Sequence, residues 1–393
     1  MEYISAAVAA EKWGVTKRQV QRLLAAGRVP HAQKHGRVWL IPRDEPKPGD
    51  LRKSAEHDFL QDVIDTLEKG TQPMPLNNPA KILEFFPEKR VRQQYEARLA
   101  YLRGDFQTTL DYFFRSDTDE VTKACCISLA MLSAITLGQF KIYQRLTDDY
   151  NRYREDATEV IETKLIDLTT STIAAGAMAP QFIADWIKTG DFDALPTFLL
   201  PDALRLRANY YLIMEQYEAA LAVAESALAY QPIAQGVSHS WISLQLVCVM
   251  ACQALERTEE AKARMLETMR VCLPHRFTTP FAELIMRYGG LVEACCREEF
   301  PELTGEMVRQ GQNIITNWIS FVNELTESNL TSILTLREYY IADKVARHVP
   351  YAEIARHQGI TVGRLKNIVS EIYSKLGISN RNELASYILP SKG

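Results

Sequence analysis

Between about residue 55 and residue 333 the chain repeats one turn signature inside a long stretch of helical periodicity. In that signature a glycine lies two residues before an aromatic side chain, as in Gly104 before Phe106 and Gly138 before Phe140, and these glycines are 34 positions apart. Variants follow at 188–192 and 214–217. Helix pairs with a period of ~34 residues stack on one another, because one pair cannot bury its own apolar face. The pattern predicts a mainly α fold.

The clearest copy of the repeated helix is YEAALAVAESALAYQP at 217–232, and a weaker copy occupies 258–274. It resembles the second helix of a tetratricopeptide repeat. The resemblance implies a helical-repeat solenoid whose concave surface binds peptides, proteins or its own neighbours. Because the distance from Gly138 to Gly190 is not a multiple of 34, the predicted solenoid is degenerate. A regulatory or oligomerisation role is the working interpretation, and a passive spacer is the alternative.

Charge is distributed unevenly along the chain. The formal net charge is −4, but residues 1–53 hold 11 basic and 5 acidic side chains, and residues 334–393 hold 9 and 5. The two ends are therefore +6 and +4, which leaves −14 for residues 54–333. Basic modules suit a polyanionic partner and an acidic body repels one. Nucleic-acid contact is thus expected at the ends and not in the middle.

The first 26 residues predict two short helices around a glycine turn. Ser5 opens a helix that ends at Gly14, and Thr16 is the expected N-cap of the next. The expected inward-facing residues are Ala9, Ala10, Trp13, Val20, Leu23 and Leu24. The candidate DNA-binding residues here are Thr16, Lys17, Arg18, Gln21 and Arg22. Two helices joined in this way are typical of a helix-turn-helix.

Two strand-like segments, 28–34 and 37–41, follow around a turn at His35 and Gly36. Through AAEKWGVTKRQVQRLLAAGRVP and GRVWLIP, residues 3–42 resemble the winged helix-turn-helix of the MerR and excisionase type. The resemblance implies that the second helix enters the major groove of double-stranded DNA, where Arg and Gln read base edges. Lys34 and Arg37 on the β-wing would contact phosphate or the minor groove. A solvated helix face is the alternative reading.

Residues 334–393 predict a second helix-turn-helix. A capping box of Thr335 and Glu338 starts a helix that runs to about Arg347. A helix at 351–358 follows, then a turn, and Thr361 caps a third helix. The expected apolar stripe of this third helix is Leu365, Ile368, Val369, Ile372 and Leu376. A last helix is expected at 382–389.

Residues 334–381 resemble the LuxR-type helix-turn-helix without a gap, through LT, RE, EIA, GIT, Lys366, Ile372 and KLGISNR. The resemblance implies a recognition helix at 361–375, with Lys366 as a principal DNA contact, and a dimer interface at 382–389. The candidate DNA-binding residues are Thr361, Val362, Gly363, Arg364, Lys366, Asn367 and Ser370. Arg364 and Ile368 replace the Thr and His of the family pattern, and 350–352 replaces its Ser-Asn-Lys. A mainly dimerising role is the alternative.

The sequence lacks the motifs of an enzyme, a metal site or a membrane protein. All seven cysteines lie between Cys125 and Cys296, in adjacent pairs or at non-zinc spacings, and predict buried thiols, with a redox switch as the alternative. Nucleotide-binding and hydrolase motifs are absent. So are a signal-peptide-like start and an apolar run of ~20 residues. We therefore expect a cytoplasmic non-enzyme with no cofactor, metal or membrane partner.

The expected organisation has four parts: 1–43, the MerR/excisionase-like winged helix-turn-helix; 44–54, a linker; 55–333, the helical repeats; and 334–393, the LuxR-type helix-turn-helix. The predicted function is that of a bacterial transcriptional regulator. It would bind double-stranded DNA as a homodimer, with a peptide, protein or small-ligand effector at the repeats. The alternatives are a peptide- or protein-binding scaffold or receptor, and a recombination accessory protein.

Overall fold

The computed structural model describes residues 3–25, 29, 31–35, 38–45, 51–157, 159–231, 236–326, 334, 336–358 and 360–388. The chain divides into two compact units, residues 1–62 and residues 63–393. It is mainly helical with one small sheet, as the sequence predicted.

The first unit contains helices α1 (Ala6–Trp13) and α2 (Lys17–Ala25) and strands β1 (Tyr3–Ile4), β2 (Gln33–His35) and β3 (Val38–Pro42). The sheet is antiparallel in the order β1-β3-β2. The sequence indicated the β2–β3 wing but not β1, which is too short to show an alternating pattern. Helix α3 (Leu51–Gly70) begins inside the segment expected to be a linker and crosses the boundary between the units.

The core of the first unit follows the predicted helical stripe. Its buried side chains are Ala9, Ala10, Trp13, Val20, Leu24, Val29 and Ile41, and Leu23 is half-buried. Ser5 caps α1, and Gly14 ends it in the left-handed conformation with φ 64°. Glu45 is buried, its carboxylate lies 3.0 Å from His31 Nδ1, and its carbonyl accepts a hydrogen bond from Trp13 Nε1 at 3.3 Å. The chain therefore packs onto this module through Glu45, beyond the expected boundary at residue 43.

The second unit begins with the helical middle, defined here as residues 63–326. Its helices after α3 are α4 (Ile82–Phe85), α5 (Lys89–Leu102), α6 (Phe106–Phe114), α7 (Glu120–Thr136), α8 (Phe140–Asp156), α9 (Val160–Gly176), α10 (Asp185–Thr189), α11 (Leu200–Ile213), α12 (Tyr217–Ala229), α13 (His239–Ala254), α14 (Thr258–Cys272), α15 (Thr279–Ala282), α16 (Ile285–Glu299) and α17 (Pro301–Thr326). Short 3-10 segments occupy Pro79–Lys81, Pro180–Phe182, Thr197–Leu199 and Leu273–His275.

One turn geometry recurs along the helical middle, after α5, α7, α9, α11 and α13. Each of these turns contains one residue in the left-handed region, and the five are Gly104, Gly138, Met178, Glu215 and Glu256, with φ of 81°, 68°, 55°, 62° and 64°. The next residue donates its N–H to a carbonyl five positions earlier, for example Gln216 to Tyr211 at 2.9 Å. This is the Schellman helix ending. The five positions are 34 to 41 residues apart, which explains why the sequence period was irregular.

Helix α17 packs across the first three turns. A methyl group on Gly104 would come within 2.2 Å of Gln310 Nε2, and one on Gly138 within 3.0 Å of Asn317 Oδ1. Trp318 approaches Gly176 in the same way. Glycine at the first two turns therefore serves two needs, the left-handed backbone and the close approach of α17.

The C-terminal module, defined here as residues 334–388, contains α18 (Leu336–Ala346), α19 (Tyr351–His357), α20 (Val362–Leu376) and α21 (Arg381–Ile388). Its buried core includes four of the five residues of the predicted stripe on α20, and Ile368 is half-buried. The expected capping residue Thr335 lies outside the described residues. The last helix begins one residue before the expected 382.

Charged residues of the KLGISNR segment tie this module together. Lys375 Nζ lies 2.8 Å from a carboxylate oxygen of Glu338, which is buried. Arg381 donates hydrogen bonds to the carbonyl of Val345 and, at 3.0 Å, to that of Val349. These side chains join α18 to α20 and α21, so this part of the quoted pattern has a structural role.

Candidate nucleic-acid interfaces

Helix α2 presents a basic and amide face to solvent in the first unit. Thr16 Oγ1 accepts the backbone N–H of Gln19 at 3.3 Å, and Gln19 Oε1 accepts the N–H of Thr16 at 2.8 Å. This reciprocal pair is a capping box, which fixes the start of the helix. The predicted site residues Thr16, Lys17, Arg18, Gln21 and Arg22 are all exposed. Because Val20 and Leu24 anchor the opposite side, the polar face is held outward.

The predicted wing residue Lys34 lies on β2 and is exposed. Its Nζ sits 5.7 Å from the centre of the Trp39 ring on the paired strand β3, a cation–π distance. The ring supports the cation while leaving it accessible to a phosphate. Arg37, the second predicted wing residue, lies outside the described residues.

Helix α20 presents the corresponding face in the C-terminal module. Thr361 caps it by accepting the N–H of Arg364 at 3.2 Å. The predicted site residues Thr361, Val362, Gly363, Arg364, Lys366, Asn367 and Ser370 are all exposed. On the opposite side Leu365, Val369 and Ile372 are buried. The structure thus leaves all seven predicted residues exposed to solvent.

Both faces carry groups that can recognise DNA. Arg and Lys neutralise phosphate or bind guanine edges, and Gln and Asn donate and accept hydrogen bonds at adenine edges. Lys17, Arg18 and Arg22 on α2 make no ion pair with another residue in the described part of the chain, and the same holds for Arg364 and Lys366 on α20. Their charge is available to a partner.

Two ion pairs of the C-terminal module had no counterpart in the sequence interpretation. Lys344 on α18 pairs with Glu215, and Arg356 on α19 pairs with Glu256. Both glutamates occupy the left-handed position of a helical turn, where Gly104 and Gly138 stand in the first two copies. In the sequence, the two glutamates could have been recognised because each replaces the glycine of the repeated turn.

A cavity of about 410 Å³ opens between the first two turns of the helical middle and α17. Gln310, Asn313 and Asn317 line it, at positions that share one face of the helix. Thr136 also lines it, is 4% exposed, and has an Oγ1 without a hydrogen-bond partner among the described atoms. Arg103 and Glu306 also line the cavity, so its lining combines one charge of each sign with carboxamides, which both donate and accept hydrogen bonds.

The seven cysteines are all buried and none forms a disulfide. Burial raises the pKa of Cys126 and Cys248 to about 12 and that of Cys252 and Cys295 to about 11. A thiol must ionise to react, so these side chains are poor nucleophiles near neutral pH. The predicted buried thiols are confirmed, and their pKa disfavours the alternative of a redox switch.

Among the described residues, no group of three or more His, Cys, Asp or Glu side chains is arranged to hold a metal ion. Within the same part of the chain, no helix has the length and apolarity needed to cross a membrane.

The chain is similar to the transcriptional regulatory protein LnrK of Bacillus subtilis (strain 168), with 33% identity over 106 residues. The match covers 27% of this chain and 44% of LnrK, so it spans less than half of that relative. No protein-family model matches the chain. No solved structure matches it either.

Proposed function

We propose that this chain is a transcriptional regulator that binds double-stranded DNA through α2 at one end and α20 at the other. The observation that carries the proposal is the matching construction of the two helices. Each begins at a capping threonine, buries one apolar side, and exposes cations and amides. The cations of both faces make no ion pair with any residue that the structure describes. The similarity of part of the chain to a transcriptional regulatory protein supports the general part of the proposal, a role in transcription regulation.

The proposed docking places each of these helices in the major groove, because a helix fits that groove and can reach its base edges. In α2 the reading residues would be Arg18, Gln21 and Arg22, with Lys34 on phosphate. In α20 they would be Arg364, Lys366 and Asn367. The helical middle, with its net charge of −14, would stay off the duplex and connect the two modules.

A titration against genomic DNA fragments at several salt concentrations tests the proposal. Arg18→Ala and Lys366→Ala should each weaken binding, by about 1–3 kcal/mol where the side chain reads a base, or reduce the salt slope by about 1 where it contacts phosphate. Arg270→Ala on α14 removes an exposed cation from the helical middle and should change neither quantity. If both test variants bind like the wild type, the two helices have been misassigned.

We also propose that the protein acts as a dimer and that α21 contributes to the dimer interface. Two copies would present paired half-sites, as symmetric DNA-binding proteins commonly do. On α21, Leu384 belongs to the core of the module, whereas Asn382 and Glu383 are exposed. Analytical ultracentrifugation of the full chain should give a dimer that Glu383→Lys weakens. A monomer at micromolar concentration contradicts this proposal.

A peptide-binding role of the helical middle is a second candidate function, favoured by the cavity beside α17. Gln310 and Asn317 each donate one amide N–H to the protein itself. The Asn313 carboxamide and the Thr136 hydroxyl, which has no partner among the described atoms, would bond the donors and acceptors of a peptide backbone. Short neutral peptides should raise the melting temperature of the wild type, and Asn313→Ala should reduce that shift. Asn382→Ala on α21, far along the chain, is the matched control and should leave it unchanged.

A further inference from the structure

The turn edge of the helical middle contacts two different parts of the same chain. At the first three turns, side chains of α17 lie against Gly104, Gly138 and Gly176. At the last two, Glu215 and Glu256 pair with Lys344 and Arg356 of the C-terminal module. Helix α17 also packs on α18. The C-terminal module is therefore docked at the edge where the turns following α11 and α13 project.

The backbone at these two turns is unfavourable for the residue it carries. Glu215 and Glu256 have φ of 62° and 64°, a region in which glycine costs little and a residue with a Cβ is strained. Glycine occupies the same position at the turns after α5 and α7. Non-glycine residues held in this conformation cluster at sites with a functional demand. Met178, after α9, is a third non-glycine residue at this position. What distinguishes Glu215 and Glu256 from it is that each carboxylate pairs with a cation of the C-terminal module.

The pair between Lys344 and Glu215 is well shielded. The Lys344 side chain is 11% exposed and that of Glu215 35%. Tyr340 adds to the contact, because its ring lies 5.6 Å from Lys344 Nζ. Tyr217, two residues after Glu215, is half-buried near Tyr340 and Glu353, and this partial burial together with the Glu215 carboxylate raises its pKa. A DNA-binding module would not bury a lysine in this way unless a carboxylate compensated the charge.

The second pair engages a cation on the helix that precedes α20. In a helix-turn-helix the first helix crosses the phosphate backbone while the second reads the groove. Arg356 lies on α19, the first helix of the pair, so Glu256 holds a cation that phosphate would otherwise attract. The candidate reading residues Arg364 and Lys366 on α20 stay exposed. Docking and DNA binding therefore compete for cations outside the reading helix.

We propose that Glu215 and Glu256 form an acidic clamp that docks the C-terminal module on the helical middle and lowers its affinity for DNA. Release of the clamp would free Lys344 and Arg356 and move the module away from a body of charge −14. The inference rests on the proposed DNA-binding role of α20. Because the clamp consists of ion pairs, rising salt weakens it as well as DNA binding.

The double variant Glu215→Gly/Glu256→Gly tests the clamp in the full chain. It removes both carboxylates and relieves the strain at both turns, so the helical middle should stay folded. The matched control is Glu218→Gln/Glu259→Gln, which removes two exposed charges from the starts of α12 and α14. Both are compared with the parent in a background carrying Arg18→Ala/Arg22→Ala, so that the measured binding reports mainly on α20.

Two readouts separate the clamp from the proposed function. Acetylation of Lys344, measured by mass spectrometry, should be slow in the parent and control and approach the rate of exposed Lys366 in the glycine variant. The same variant should bind DNA more tightly, with a salt slope steeper by up to ~0.9 for each cation released. An unchanged Lys344 rate, or DNA affinity no higher than that of the control, overturns the clamp. If neither parent nor variant binds DNA in this background, the proposed DNA-binding role of α20 fails, and inhibition fails with it.

Discussion

The two candidate DNA-binding modules share one construction but differ in how much of their positive charge is available. In the first unit, the cations of α2 have no ionic partner within the described residues. In the C-terminal module, four cations pair with carboxylates, namely Lys344, Arg347, Arg356 and Lys375. Arg381 instead donates hydrogen bonds to two backbone carbonyl oxygens. Arg364 and Lys366 on α20 are the exceptions among the described side chains.

The comparison shows that net charge is a poor measure of what a DNA duplex meets. A charge of +4 for residues 334–393 and +6 for residues 1–53 suggested similar modules. Once the ion pairs are known, the C-terminal module presents its available charge mainly on one helix, whereas the N-terminal module has a second cation-bearing element in its β-wing. We therefore expect the two ends to differ in salt dependence and in coupling to the helical middle.

The largest expected effect comes from shortening one buried core side chain in each module. Ile41 and Ile372 are both fully buried, and Ile→Ala at such a site costs about 2–5 kcal/mol of folding free energy. Because residues 1–62 form a compact unit of their own, Ile41→Ala should abolish α2-dependent DNA binding and spare α20. Ile372→Ala should do the reverse. Urea unfolding together with DNA titration measures both, and a loss under 1 kcal/mol would contradict the core assignment.

The next largest effect concerns the reading helices. Arg18→Ala/Arg22→Ala and Arg364→Ala/Lys366→Ala each remove two exposed cations, and each should flatten the salt slope of DNA binding by up to ~0.9 per lost phosphate contact. The wing retains Lys34 after the first change, so the residual binding of the N-terminal module should be the stronger of the two. The two losses are compared in protein fragments that each cover one module. A greater loss of DNA binding from the α2 double variant than from the α20 double variant would contradict this expectation.

The capping threonines provide a matched pair of smaller effects. Thr16→Ala and Thr361→Ala each remove an N-cap hydrogen bond, worth about 1 kcal/mol. Thr16 belongs to a reciprocal capping box with Gln19, so its loss should cost more. Thr→Ser keeps the accepting oxygen and serves as the control at both sites. Thermal unfolding followed by circular dichroism gives the ranking, and equal costs for Ala and Ser would refute the capping role.

The smallest expected effect is at Gly363 of α20, and Gly377, the residue that follows this helix, provides the contrast. A methyl group on Gly363 would meet only Thr361 Oγ1 at 3.9 Å, so Gly363→Ala should stabilise the helix by about 0.5–1 kcal/mol. Gly377 ends the helix with φ 65°, where alanine should destabilise by about 1–2 kcal/mol. If Gly363→Ala raises the stability but lowers the affinity for DNA, the absence of a side chain at Gly363 allows DNA to approach the helix closely. Equal destabilisation by both changes would contradict the assigned backbone roles.

Local patterns predicted the helices and their faces well. Thr16 and Thr361 were recognised as caps and proved to be caps, and the apolar stripe of α20 packs inward. These features depend on neighbours three or four residues away, which the sequence displays directly. Strand β1 was missed, because two residues carry no alternation and its pairing partner is β3, far along the chain.

Contacts between distant segments could not be predicted in this way. Glu215 and Lys344 are 129 positions apart, and the sequence around either residue does not indicate the other as its partner. The contact of buried Glu45 with exposed His31 could not be predicted for a related reason, since a segment rich in charge and proline predicts a tether. The irregular distances between turns obscured the repeat, although all five turns share one backbone geometry.

DNA recognition by α2 and α20 is tested most directly by a DNA titration of the quadruple variant Arg18→Ala/Arg22→Ala/Arg364→Ala/Lys366→Ala. The wild type and the two double variants are titrated beside it. Fluorescence anisotropy at several salt concentrations gives affinity and salt slope for each. If α2 and α20 read DNA, both double variants bind DNA more weakly than the wild type, and the quadruple variant loses the preference for selected over scrambled DNA. Wild-type affinity and preference in the quadruple variant would contradict the claim that α2 and α20 read DNA.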